Sequence, residues 1–120
     1  MKTELKIGLV LLLVWVVVKF LKSDSAARQI PALVEQGALV VDVRTTGEFA
    51  SGHIQGAINI PYDVIADEIQ KHDADKSHPI IVYCHSGSRS GAAKRSLLNA
   101  GYTNVINGGS YFSMRTRLKR

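Results

Sequence analysis

An α/β fold is predicted for this chain, with a parallel sheet flanked by helices and preceded by one hydrophobic N-terminal helix. Three observations carry that expectation. ALVVDV (38–43) and PIIVYC (79–84) are short β-branched runs in which apolar and polar positions do not alternate, the pattern of strands covered on both faces. Between such runs lie stretches with apolar residues at helical spacing, and strands that alternate with helices build a parallel sheet. IGLVLLLVWVVV (7–18) carries no charge and precedes the rest.

Taken in order, the chain starts with that apolar run. If Lys6 and Lys19 extend their charges outward, the apolar span widens to Leu5–Leu21, ~25 Å as a helix against a hydrocarbon core of ~30 Å. A buried helix is disfavoured, since an all-round apolar helix needs a larger core than the remaining residues supply. A cleaved secretory signal would use Lys2 and Lys6 as its basic start and Ser23, Ser25, Ala26 and Ala27 as its small residues, but Lys19 and Lys22 stand before any cleavage point. A retained anchor suits Trp15 and Phe20 at an interface and is the preferred reading. The expected location is therefore a membrane, through a single-pass N-terminal helix, with a periplasmic or secreted protein as the alternative after cleavage. Residues 1–22 are assigned to the anchor or signal, 23–27 (SDSAA) to a short polar linker, and 28–120 to one folded domain.

RQIPALVEQ (28–36) is expected to be a helix, with Pro31 in its first turn and Gly37 as its stop. The first strand, ALVVDV, leads into TTGEFASGHIQG (45–56), helical at its centre and punctuated by Gly47, Gly52 and Gly56. AINIP (57–61) gives a second short strand ended by Pro61. A helix over 62–71 is marked by Val64, Ile65, Glu68 and Ile69. PIIVYC then delivers Cys84 at the end of a third strand. SGAAKRSLLNAG (90–101) is helical, apolar at Ala92, Ala93, Leu97 and Leu98 and stopped by Gly101. YTNVIN (102–107) supplies a fourth strand, Gly108–Gly109 a turn, and SYFSMRTRLKR (110–120) a basic terminal helix.

The chain has 120 residues and a formal net charge of +5. Without the apolar segment about 95 residues remain, enough for one small core. The basic residues are thinly spread and gather only near the two ends, so no nucleic-acid partner is expected. One cysteine excludes an intramolecular disulfide and a cysteine-based zinc site.

That cysteine marks the candidate site. In open α/β sheets, sites form beyond the carboxyl ends of strands, where a helix begins and its unpaired N–H groups point outward. Cys84 ends a strand, small residues follow, and a helix comes next. A cup rimmed by His85, Ser86, Gly87, Ser88 and Arg89 therefore surrounds the thiol, with a partial positive charge that favours an anion and lowers the thiol pKa.

Two motifs, DVRTTGEFASGHIQGAINIP (42–61) and YCHSGSRSGAAK (83–94), give the chain a wider likeness. Over about residues 28–112 it resembles a single-domain rhodanese, a thiosulfate or persulfide sulfurtransferase. The resemblance implies a rhodanese-like domain in which Cys84 is catalytic and His85, Ser86, Gly87, Ser88 and Arg89 bind substrate, with Asp42 and Arg44 as supporting groups. It implies a small anionic sulfur donor, a thiol or cyanide acceptor, a Cys84 persulfide between them, and neither cofactor nor metal. By the same likeness Glu48 and His53 are structural. His72 and His78 flank KHDADKSHP (71–79), read from its residues as a solvated loop. Two departures stand out. His85 occupies a position that is often arginine, which removes a fixed charge from the cup, and Ser110–Phe112 replace the tryptophan common after the Gly-Gly pair.

Two alternatives compete with sulfur transfer. A catalytically silent rhodanese-like module that binds proteins would usually lack the cysteine. A cysteine phosphatase or arsenate reductase would place five residues between cysteine and arginine, whereas only His85 to Ser88 separate Cys84 from Arg89, leaving a cup sized for a sulfur atom.

Overall fold

The computed structural model describes residues 2–119, with side chains described except at 2–5 and 19–25. Helix α1 (Lys2–Arg28) and the short α2 (Ile30–Glu35) lead into strand β1 (Leu39–Asp42), α3 (Thr46–Ala50), β2 (Ile58–Asn59) and α4 (Ile65–His72). Strand β3 (Ile80–Cys84), α5 (Ser88–Asn99), β4 (Val105–Ser110) and α6 (Tyr111–Leu118) complete the chain. All neighbouring strands are parallel, in the order β2-β1-β3-β4.

The lack of alternation in the strands has the consequence expected of it, a sheet buried on both faces. Along β3 the side chains divide in turn: Ile80, Val82 and Cys84 join Ile65 and Ile69 of α4 and Ala93 and Leu97 of α5. Ile81 and Tyr83 join Ile30 of α2, Ile106 of β4 and Met114 of α6 on the opposite face. Every residue of β3 is buried. Cys84 therefore lies on the α5 side of the sheet, at the carboxyl end of a central strand.

The strand order reverses between β1 and β3, since the chain leaves β1 toward β2 on one side and β3 toward β4 on the other. Such a reversal leaves a crevice between the two outgoing loops. Here Asp42 is in register with Tyr83, and the Val43 N–H donates to the Tyr83 carbonyl at 2.9 Å, so the segments after Asp42 and after Cys84 emerge side by side.

Four expectations need correction. The backbone of 23–27 does not form a joint but continues α1 to Arg28, which Ala26 and Ala27 favour and no glycine or proline interrupts. The helix after the cysteine loop begins at Ser88 rather than Ser90. Gly108–Gly109 is not a turn but part of β4. Val82 faces Asn107 and Tyr83 faces Gly109, so Gly108 is the extra residue of a bulge, and a Cβ there would sit 2.6 Å from Met114 Sδ and 3.2 Å from Ile81 Cγ2. A side chain there would have to displace the buried Met114 of α6, a constraint invisible in the local sequence. The fourth correction concerns His78. It is tied down rather than simply solvated, its Nδ1 bonded to Asp73 and its Nε2 to the Gly37 carbonyl at 2.9 Å. The Asp73 bond, opposed by partial burial and aided by the Gly37 carbonyl, raises the His78 pKa.

Along α1 the side chains from Ile7 to Val18 stand exposed, including Leu13 at 64% and Trp15 at 58%. Among the described residues no helix is long and apolar enough to cross a membrane. The flanking side chains invoked for an anchor or signal, Lys2, Lys19, Phe20, Lys22, Ser23 and Ser25, lie outside the described residues.

Candidate active site

Local chemistry builds the cup from the cysteine outward. Gly87 is the N-cap of α5 with φ +100°, a left-handed conformation that costs other residues steric strain and that turns the loop back over Cys84. As a result the Gly87 N–H donates to Cys84 Sγ at 2.9 Å. A Cβ at Gly87 would also meet the Gly109 backbone at 3.6 Å, so the β4 bulge forms one wall of the turn.

Below the sulfur sits Ser90, fully buried, with its Oγ 3.5 Å from Cys84 Sγ. Its hydroxyl is also within bonding distance of the Gly87 carbonyl, at 2.9 Å, and of Asn107 Oδ1, at 2.8 Å. Asn107 Oδ1 in turn accepts from the Gly109 N–H at 2.9 Å. Ser90 and Asn107 thus fix the loop to the sheet and present a hydroxyl to the sulfur. Burial pushes the Cys84 thiol up. The Ser90 hydroxyl and the N–H groups of Ser90, Gly87 and Ser86 pull further the other way, so its pKa settles below the ordinary cysteine value.

The rim divides into distinct roles. His85, Ser86 and Ser88 are exposed, and the two serine hydroxyls lie 3.3 Å apart. Arg89 stands in the first turn of α5 and reaches across the crevice: its Nη1 donates to Glu48 Oε1 at 2.7 Å and its Nη2 to Oε2 at 3.0 Å. Glu48 is in place because it closes a capping box at the start of α3, accepting from the Thr45 N–H at 3.2 Å. The Arg89 bond, opposed by partial burial and aided by Thr45, holds the Glu48 carboxyl down at about 2, so this pair stays ionised at ordinary pH. Its partner Arg89 is raised by the same bond, with the Cys84 charge among the further causes.

Asp42 and Arg44 lie beneath the neighbouring loop rather than in the cup. Both are buried, at 0% and 5% exposure, and pair through Arg44 Nη2 to Asp42 Oδ2 at 2.6 Å and Nε to Oδ1 at 2.9 Å. The remaining polarity is absorbed by the Arg44 N–H to Oδ1 at 2.9 Å and by Nη2 to the Gly52 carbonyl at 2.7 Å. The guanidinium also lies over the Tyr111 ring, 4.7 Å from its centroid. Through the Gly52 carbonyl the pair is tied to the end of the loop that carries Glu48. His53 takes no part in the cup: it stacks on Phe49 at 3.7 Å and its Nδ1 bonds to the Phe49 carbonyl.

Sequence reasoning missed Ser90, Asn107 and the Glu48–Arg89 pair. The Thr45-x-x-Glu48 spacing does signal a capping box, but not that the outer face of the carboxylate is used by Arg89.

Comparison with known proteins agrees with this geometry. The model of the rhodanese-like domain matches residues 26–111. Thiosulfate sulfurtransferase PspE of Escherichia coli is 42% identical over 69 residues, covering 58% of this chain and 66% of that protein, just under two thirds of its length. Thiosulfate sulfurtransferase GlpE of Pseudomonas savastanoi pv. phaseolicola is 41% identical over 83 residues, covering 68% and 76%. Among solved structures, a rhodanese with anions from E. coli superimposes with a TM-score of 0.62 at 38% identity, covering 64% of this chain and 91% of that one. The human single-domain sulfurtransferase TSTD1 gives 0.64 at 25% identity, covering 73% and 90%. The expected rhodanese fold and the enzyme class agree with these relatives.

Proposed function

The chain belongs to the rhodanese-like domain family, and on that footing we propose that it moves sulfane sulfur from thiosulfate or a persulfide to a thiol or cyanide through Cys84. The observation that carries the proposal is the Gly87 N–H at 2.9 Å from Cys84 Sγ, on a thiol whose pKa is already lowered. The thiolate attacks the outer sulfur of thiosulfate; the new S–S bond forms as the old one breaks, and sulfite leaves with its electron pair. The product, a Cys84 persulfide anion, is stabilised by the loop N–H groups. Cyanide or a thiolate then attacks the terminal sulfur, leaving as thiocyanate or a new persulfide and returning the Cys84 thiolate. His85, Ser86, Gly87, Ser88 and Arg89 form the donor's surroundings.

Because the sulfur is carried on the enzyme between two substrates, initial rates with varied thiosulfate and cyanide should give parallel double-reciprocal lines. Intersecting lines would mean that both substrates meet on the enzyme at once and would overturn the carrier mechanism.

The N-terminal helix supports a location as well. An exposed run from Ile7 to Val18 on a helix of 27 residues suits insertion into lipid better than exposure to water. We propose that α1 anchors the domain to a membrane: Ile7–Val18 alone is too short to cross a bilayer, and the longer apolar span of the sequence, Leu5–Leu21, is what would be inserted. Intact protein should then stay in the membrane fraction through a carbonate wash, while a form lacking residues 1–22 should be soluble and active. Recovery of the full-length chain in the wash supernatant would contradict the anchor. Soluble protein beginning near Ala26 or Arg28 would establish a cleaved signal instead.

A further inference from the structure

Within the cysteine loop the only fixed cation is Arg89, and the structure commits it. Both terminal nitrogens of its guanidinium are bound to the two oxygens of Glu48, at 2.7 and 3.0 Å, in a bidentate geometry that neutralises the pair. The two side chains are 28% and 33% exposed, so the pair borders the crevice rather than lying out in solvent. What the loop offers to the donor is then the partial charge of backbone N–H groups and the serine hydroxyls. Partial charges of that kind, with no full positive charge among them, match a singly charged or neutral group better than a dianion. The fold imposes the arrangement, since the reversal between β1 and β3 sets the Thr45–Glu48 turn against the first turn of α5.

We propose that Glu48 is a specificity-determining residue. By occupying Arg89 it makes the cup discriminate against the thiosulfate dianion and favour low-molecular-weight alkyl persulfides as sulfur donors. This rests on the sulfurtransferase reading of Cys84. With an alkyl persulfide the step balances without another reactant: the Cys84 thiolate takes the terminal sulfur of RSSH, the S–S bond of the donor breaks, and the leaving thiolate takes up the proton carried by the transferred sulfur, giving RSH and the Cys84 persulfide anion.

The test compares donors on the full-length chain, using thiosulfate and cysteine persulfide at low ionic strength, where a partly exposed charge is least screened. Glu48→Gln frees Arg89 while retaining an oxygen for the Thr45 N–H, so the capping box survives. The ratio of kcat/KM for thiosulfate to that for the persulfide should rise by roughly threefold to tenfold, mainly through a lower KM for thiosulfate. Arg89→Gln leaves Glu48 as an unpaired anion at the rim and should move the ratio the opposite way. The double variant, again neutral, should return within roughly twofold of the wild-type ratio. A purely structural role for the pair would change both donors together in every variant. That pattern, or a ratio unmoved by Glu48→Gln, would overturn the inference while leaving sulfur transfer standing. Failure of both donors to place sulfur on Cys84 even in the wild type would overturn the sulfurtransferase reading itself.

Discussion

Cys84→Ser should abolish sulfur transfer, lowering turnover roughly 10³-fold or more, while the domain remains folded. The thiolate is the only group at the base of the loop able to form an S–S bond, so nothing nearby can substitute for it. The replacement is nearly isosteric, and a hydroxyl there can still accept from the Gly87 N–H and bond to Ser90, the two contacts that the sulfur makes. Its stability cost should accordingly be about 1 kcal/mol or less. Thiocyanate production within a few-fold of wild type by a folded variant would contradict the assignment of Cys84 as nucleophile.

Asp42→Ala should have the largest effect on stability, about 3–5 kcal/mol, because it strands the buried Arg44 guanidinium after removing the carboxylate that binds its Nε and Nη2. That is a large share of the ~5–15 kcal/mol available to a domain. Urea unfolding followed by circular dichroism would show a lower midpoint at an unchanged slope. Replacing both partners, as Asp42→Ala with Arg44→Met, should recover part of the loss, since no unpaired charge then remains. A loss below about 1 kcal/mol for the single variant would mean that water reaches Arg44 and that the pair does not hold the loop.

How much of this was visible in the sequence depended on the range of the interaction. The sheet was legible because a strand buried on both faces writes itself as an unbroken apolar run, and β1 and β3 are such runs. The cysteine loop was legible because strand end, small residues and helix start are consecutive. Ser90 lies just outside the quoted cup, and its place under the sulfur follows from the helix starting a half turn earlier than expected, at Ser88. Asn107 and the Glu48–Arg89 pair were hidden for a different reason. Glu48 and Arg89 are 41 residues apart and meet only because β1 and β3 are neighbours, which local patterns do not state. Gly108 and Gly109 misled because strand glycine and turn glycine look alike until Met114 is seen packed against one of them.

The central claim is that Cys84 carries the transferred sulfur. Purified wild-type protein, reduced and then mixed with thiosulfate or cysteine persulfide without an acceptor, should gain the mass of one sulfur atom, confined on peptide mapping to the fragment containing Cys84. Addition of cyanide should remove that mass and release an equal amount of thiocyanate. An unchanged mass under both donors, or sulfur found on a fragment without Cys84, would contradict the account.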